Sequence, residues 1–248
     1  PDNQFNPLNK NLAWKSVRLN LAGGEPLLLG DKLMSLIKQA RSCGFDVSLI
    51  SNGSLLNQNL LRQLAPELTW FGISIDSSSA QINTDIGRVD RRNKFINLLQ
   101  LERHLLVARQ FNPNLKIKLN TVVNQLNFEE DLTPLIRRLN PDKWKILRML
   151  PVVNSNLEVS DGEFSAFFRR HESLKHLISL EDNQDMRESY LMIDPLGRFF
   201  QNSKLIAGQG YVYSDPIPEV GAKRAFTLMA FDYEKFSARY LSSCEERL

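Results

Sequence analysis

Hydrophobic positions along the chain switch repeatedly between strand-like runs and a helix-like period. Val17–Leu21 is a short apolar run, followed from Asp31 by Leu33, Met34, Leu36 and Ile37 at helical spacing, with Gly44 as the stop. Val47–Ile50 predicts a second buried strand, Leu60, Leu61 and Leu64 a short helix, and Trp70–Ile75 a third strand. A long helix is expected from Asn93 to Arg109, then a strand at Leu115–Val122. Leu132, Leu135, Ile136 and Leu139 form another helix face, and Trp144–Leu150 a fifth strand. Strands alternating with helices predict a parallel sheet with crossover helices, an α/β fold. The number of strands before residue 150 suits an open or closed βα barrel better than a sandwich.

After residue 150 the pattern loosens. Asp161 to His171 reads as a helix with Phe164, Phe167 and Phe168 inward, and Leu191–Ile193 with Arg198–Phe200 as a hairpin over Pro195-Leu196-Gly197. Residues 201–225 read as loop, with Gly208, Gly210, Gly221, Pro216 and Pro218. The expectation is a single domain, with residues 1–150 as barrel core and 151–248 as an extension that completes the barrel and covers the substrate site as a lid.

Bulk composition narrows the function classes. The chain of 248 residues is 42% hydrophobic and 24% charged, as in a globular protein. No apolar run approaches the roughly 20 residues of a membrane span, and the polar stretch Pro1 to Lys10 does not read as a secretory leader. A net charge of +3 with interspersed signs does not suggest a nucleic-acid surface. Only 2 cysteines occur, Cys43 and Cys244, far apart in sequence, so a disulfide scaffold is not expected, which favours a reducing, cytoplasmic setting. Cys43 reads as a small core or boundary residue. His104, His171 and His176 lie in charged, helix-like stretches without metal-ligand spacing and read as surface residues.

Candidate chemistry collects at the ends of strands. Ala22-Gly23-Gly24-Glu25-Pro26 leaves the first strand with two glycines that allow close backbone approach, then a carboxylate. That suits a small molecule with a charged amino group, although a strand-to-loop turn in any α/β protein has the same look. Ser51-Asn52-Gly53-Ser54 and Ser74-Ile75-Asp76-Ser77 follow the next two strands. One such cluster would be a turn, whereas three in succession describe a site at the carboxyl ends of parallel strands.

Side chains alternate faces along a strand. Arg18 and Asn20 share a face opposite Val17, Leu19 and Leu21; Lys116, Lys118 and Asn120 share one opposite Leu115, Ile117 and Leu119; Lys143 and Lys145 share one opposite Trp144 and Ile146. With the apolar set packed under helices, the cations would face the barrel interior, where unpaired charge is costly. Convergent cations then imply a polyanion, a triphosphate above all. A solvated edge is the competing account. It explains one cationic row but not three on separate strands.

These segments resemble the radical S-adenosylmethionine (SAM) enzymes. The fuller set is similar to the viperin family: Ile86-Gly87-Arg88, Lys118-Leu119-Asn120-Thr121-Val122-Val123-Asn124, Asn127-Phe128-Glu129-Glu130-Asp131, Leu139-Asn140-Pro141-Asp142-Lys143-Trp144-Lys145, and Asn183-Gln184 running into Ser189-Tyr190-Leu191. The resemblance is collinear from residue 17 to 200 and points to a prokaryotic viperin-like member. It implies a partial (βα)6 barrel with a [4Fe–4S] cluster, SAM and an external electron donor. A 5′-deoxyadenosyl radical would take the 4′ hydrogen of CTP, GTP or UTP, and loss of the 3′ hydroxyl would give a 3′-deoxy-3′,4′-didehydro nucleotide. Such a product terminates viral polymerases, hence antiviral defence. By position, Gly23, Gly24, Glu25, Asn52, Ser74 and Arg88 would hold SAM, with Arg88 suited to its carboxylate. Arg18, Lys118, Lys143 and Lys145 would bind the triphosphate, with Asn120 beside the sugar or phosphates. Arg18 stands where the family carries lysine, which keeps the charge and changes its geometry. No acid or base is assigned.

The family's cluster rests on a CxxxCxxC loop ahead of the Gly-Gly-Glu-Pro segment, and this sequence has no such triad. Those cysteines are expected upstream of Asn6. Two other readings stay open. A radical SAM peptide or cofactor maturase would carry further downstream cysteines for auxiliary clusters. A non-catalytic nucleotide- or SAM-binding protein would lack the triad altogether.

Overall fold

The computed structural model describes residues 16–89, 95–150, 156–202 and 211–241. They fall into two units, one of Ser16–Met149 with Asn156–Leu180 and one that includes Glu181–Leu248.

The first unit is built on a six-stranded sheet in simple chain order. Its strands are β1 (Arg18–Leu21), β2 (Asp46–Ser51), β3 (Trp70–Ser74), β4 (Lys116–Val123), β5 (Lys143–Arg148) and β6 (Ile178–Glu181). β1 to β5 pair in parallel. Beside β5, the Trp144 N–H donates to the Leu177 carbonyl at 2.7 Å. The connections are helical: α1 (Asp31–Ser42), α2 (Gln58–Leu64), α3 (Ala80–Ile86), α4 (Leu98–Phe111), α5 (Thr133–Leu139) and α6 (Asp161–Arg170). This is the parallel α/β architecture that the alternating periods predict.

Local chemistry explains the boundaries. α1 ends in a Schellman motif, with the Gly44 N–H on the Arg41 carbonyl (2.9 Å) and the Phe45 N–H on the Ala40 carbonyl (3.2 Å). Gly44 sits at φ +82°, a left-handed conformation that favours glycine. Ser160 and Glu163 cap each other's backbone at the start of α6. Asn97 caps α4, and the expected start at Asn93 lies outside the described residues. The short α3 escapes a periodicity search, and its signals are the cap residue Ser79 and the terminating Gly87. The four residues of β6 are too few for a period of their own.

One face of the sheet carries Leu49, Ile73, Ile117, Leu119, Trp144 and Ile146, all at 0% exposure. They form one core with Leu33, Ile37, Leu101, Leu105, Leu135 and Phe167 from the helices. The Trp144 indole N–H donates to Thr121 Oγ1 at 2.9 Å, which satisfies the one polar atom of that ring. Here the surface reading of His171 is corrected. Its ring is fully buried against Trp144 and Phe167. Nε2 accepts the Leu132 N–H at 2.8 Å, so Nδ1 carries the proton and donates to the Phe167 carbonyl at 2.8 Å. Burial holds its pKa below the usual histidine value, against the raising influence of that Phe167 bond and of Asp131. The charged neighbours Arg169, Arg170 and Glu172 hid the inward face. Cys43, expected in the core or at its boundary, is exposed at the end of α1.

In the second unit, β7 (Met192–Ile193) and β8 (Arg198–Gln201) form the expected antiparallel hairpin. The loop expected over 201–225 is corrected in part. β9 (Val212–Pro216) pairs with β8, and α7 (Ile217–Val220), α8 (Ala222–Phe226) and α9 (Tyr233–Leu241) follow. β9 has one aliphatic residue and little period. It is held by neighbours, with the Phe199 N–H on Ser214 Oγ at 2.9 Å and Tyr213 stacked on Phe200 at 5.7 Å. Gly208 and Gly210 lie outside the described residues. No helix among the described residues is long and apolar enough to cross a membrane.

Candidate functional site at the carboxyl ends of the strands

Glu25 joins the loops after β1 and β2. Its Oε1 accepts the Leu27 N–H (3.1 Å) and the Ser51 hydroxyl (2.8 Å), and its Oε2 accepts the Asn52 N–H (2.7 Å). The carboxylate also caps the 3₁₀ turn Pro26–Leu29. Gly23 and Gly24 stand at φ +93° and +51°. Among the described residues, chain neighbours aside, no heavy atom lies within 4 Å of where a Cβ would stand on either one, so that side is open. The Asn52 side chain accepts the Ser54 N–H at 2.9 Å and shapes the next turn. Residues at two separate strand ends are thus brought into one hydrogen-bonded group.

Register sets the polar face of the sheet in rows. Asn20, Ser48, Trp70 and Lys116 stand side by side across β1 to β4. The next row towards the carboxyl ends is Ile50, Gly72, Lys118 and Lys143, and the next is Ser74, Asn120 and Lys145. A Cβ on Gly72 would stand 2.9 Å from Ile50 Cγ1, so the glycine makes room for that side chain, and at 3.5 Å from Lys118 Cε it would only touch the lysine stem. Asn120 is 8% exposed, and its Oδ1 has no hydrogen-bond partner among the described residues. The structure therefore groups Lys118, Lys143, Lys145, Asn120 and Ser74. Arg18 stands apart, at the amino end of β1 opposite Asp46, with its guanidinium 5.5 Å from the Trp70 ring centroid. Lys116 belongs to the opposite rim, paired with Asp142 at 3.1 Å.

The end of β3 holds a feature that sequence reasoning missed. Asp76, 1% exposed, pairs with Arg88, whose Nε donates to Asp76 Oδ2 at 2.5 Å. Its Oδ1 accepts the Val122 N–H at 2.8 Å and so continues the β3–β4 ladder with a side chain. The available signal was a carboxylate at a strand end, in the same motif as Ser74 and shortly before an arginine.

Comparison with known proteins gives these positions a family. No protein-family model matches the chain. It is 42% identical over 237 residues to an S-adenosylmethionine-dependent nucleotide dehydratase of Pseudoalteromonas ulvae, covering 96% of this chain and 76% of that protein. A protein of the same name from Psychrobacter lutiphocae is 42% identical over 227 residues, covering 92% and 75%. The chain belongs to the S-adenosylmethionine-dependent nucleotide dehydratase family. That is the viperin-like group of enzymes which the motifs resemble. Among solved structures, native anSMEcpe with bound AdoMet shares the fold at TM-score 0.62 and 15% identity, over 93% of this chain and 70% of that one. A domain of a pyruvate-formate lyase-activating enzyme from Bacteroides vulgatus matches at TM-score 0.53 and 14% identity, over 67% and 99%.

The family's cofactors can be tested against the residues. For SAM the fit is good. The Gly23–Gly24 surface is open, and Glu25 uses three of the roughly four lone-pair positions of a carboxylate on protein donors. A position is left for an ammonium group. For the [4Fe–4S] cluster the residues present do not fit. Cys43 is exposed and solitary, Cys244 lies outside the described residues, and no three His, Cys, Asp or Glu side chains among the described residues could hold a metal.

Proposed function

We propose that this member of the family is a radical SAM lyase that dehydrates a nucleoside triphosphate (CTP, GTP or UTP) to its 3′-deoxy-3′,4′-didehydro analogue. One observation carries the reading. Lys118 and Lys143 stand side by side, with Asn120 and Lys145 in the next row, on the strand face that Ser74 shares. Cations in successive rows suit an extended polyphosphate lying along the strands. SAM, when bound, supplies the hydrogen-abstracting chemistry.

The remaining roles fall to the chain's own side chains. Gly23, Gly24 and Glu25 take the amino group of SAM, while Asn52, Ser74 and Arg88 complete its binding. Lys118, Lys143 and Lys145 take the phosphates, whereas Arg18 would have to leave the Trp70 ring at the amino end to join them. The unpartnered Asn120 Oδ1 is an acceptor. It therefore calls for a donor, which a ribose hydroxyl is and a phosphate oxygen is not. An external electron donor completes the reaction. A chain-terminating product would serve antiviral defence, and the scarcity of cysteines suits a cytoplasmic protein.

The test uses the full-length protein after anaerobic reconstitution with iron and sulfide. Release of 5′-deoxyadenosine from SAM, stimulated by CTP, GTP or UTP, is expected; its absence with all three ends the proposal. Lys118→Ala should weaken triphosphate binding by about tenfold or more and leave SAM affinity unchanged. Equal loss of both would refute the assigned roles.

A further inference from the structure

We propose that Asp76 is a positioning residue that holds Arg88 as a fork for the carboxylate of SAM. The proposal rests on the reading of Arg88 given above and adds the residue through which it works.

The argument begins with burial. An aspartate at 1% exposure is costly unless its oxygens are used. Both are used, and by different partners: Oδ1 by the Val122 N–H and Oδ2 by Arg88 Nε. The Asp76 carbonyl in turn accepts Asn127 Nδ2 at 2.7 Å. The carboxylate is thereby fixed to the end of β4.

A guanidinium presents its five N–H groups in one plane. Engaging it at Nε fixes that plane and leaves the two terminal nitrogens as a second, bidentate edge. Among the described residues those nitrogens make no hydrogen bond, and the Arg88 side chain remains 38% exposed against 1% for its partner. An ion pair serving the fold alone has no need of an open edge.

The backbone of Arg88 is held to the same strand end. Gly87 turns left-handed at φ +84° to end α3, and the Arg88 N–H returns to the Asn83 carbonyl at 2.7 Å. Asn83 is fully buried, and its Nδ2 donates to the carbonyls of Ser77 (2.8 Å) and Ser79 (2.7 Å). Both ends of Arg88 are therefore tethered to Asp76–Ser79. A long flexible side chain has been turned into a preorganised one.

The test compares SAM with decarboxylated SAM, which lacks the group the fork would grip. Affinities for both are measured by calorimetry on the full-length reconstituted protein. Asp76→Asn keeps an acceptor for Val122 and removes the charge. It should weaken SAM by about tenfold while leaving decarboxylated SAM unchanged. Equal weakening of both ligands would mean a structural role only, and no weakening of either would mean no role; each overturns the proposal. Arg88→Ala is the control for the underlying reading, and must also reduce the preference for the carboxylate. If it does not, Arg88 is not the carboxylate residue and both ideas fall. If it does and Asp76→Asn does not, only the positioning role falls. Should Asp76→Asn fail to fold, Arg88→Lys is read instead. Lysine keeps the charge without the fork, so loss of the preference is expected and full retention overturns the proposal.

Discussion

Strand β4 is closed at both ends by an aspartate from a neighbouring segment, and the two ends have different uses. At the amino end Asp142 accepts the Ile117 N–H at 2.8 Å and draws in Lys116 (3.1 Å) and Arg109 (3.2 Å). Arg109 is further occupied by the Asn140 carbonyl at 2.6 Å. At the carboxyl end Asp76 accepts the Val122 N–H at the same 2.8 Å and takes a single cation, Arg88, by one edge. The amino end is a half-exposed cluster whose cations converge on one carboxylate. The carboxyl end is a buried carboxylate with an arginine edge left open. One device fastens a strand in the first place and presents a binding group in the second. This agrees with the general siting of function at the carboxyl ends of parallel strands.

Mutation should separate the two ends. The largest effect is expected from Asp76→Ala, at about 2–3 kcal/mol of stability in urea unfolding. It removes a backbone and a charged hydrogen bond from a dry site. The partly solvated Arg88 keeps this below the cost of stranding a fully buried charge. Asp142→Ala should cost about 1 kcal/mol, because the carboxylate itself is 27% exposed where Asp76 is 1% exposed. Its loss should shrink with added salt, whereas that of Asp76→Ala should hardly change. Equal costs, or equal salt dependence, would break the comparison.

Acid gives the smallest and most graded contrast. Partial burial raises the Asp142 carboxyl, but hydrogen bonds from Ile117, Lys116 and Arg109 with the charge of Lys116 more than offset it, and its pKa lies below the ordinary 3.8. A carboxyl depressed in the folded state contributes stability that is complete above its unfolded value and lost as pH falls below it. His171 is also depressed from 6.5, by burial first of all. The unfolded chain therefore takes up that proton first, and stability drains as pH falls below 6.5. Two separate windows are expected in a titration of unfolding free energy. His171→Gln should narrow the upper one, which His104 shares, and Asp142→Asn the lower one, which Asp131, Glu163 and Asp194 share. A single window, or loss of both in one variant, would contradict the assignment.

Much of the fold is legible locally. The strand–helix alternation, the Gly44 stop, the hairpin at Pro195-Leu196-Gly197 and the two faces of β4 and β5 each follow from residues a few positions apart. The Gly23–Glu25, Ser51–Gly53 and Ser74–Ser77 segments were readable as strand ends for the same reason. The elements missed were short or borrowed their stability. β9 exists through its pairing with β8, and His171 is buried through Trp144 and Phe167, which no local period encodes.

By itself the sequence determined which side chains share a strand face and which segments end strands, because alternation and turn chemistry act over two to four residues. Only the tertiary structure decided which of those segments meet. Register set Lys118 beside Lys143 and left Arg18 apart. Loop closure brought Glu25 to Ser51 and Asn52, and Asp76 to Arg88. Those meetings depend on parallel strands joined by crossovers, so partners distant in sequence are chosen by packing and hydrogen-bond satisfaction rather than by any local preference.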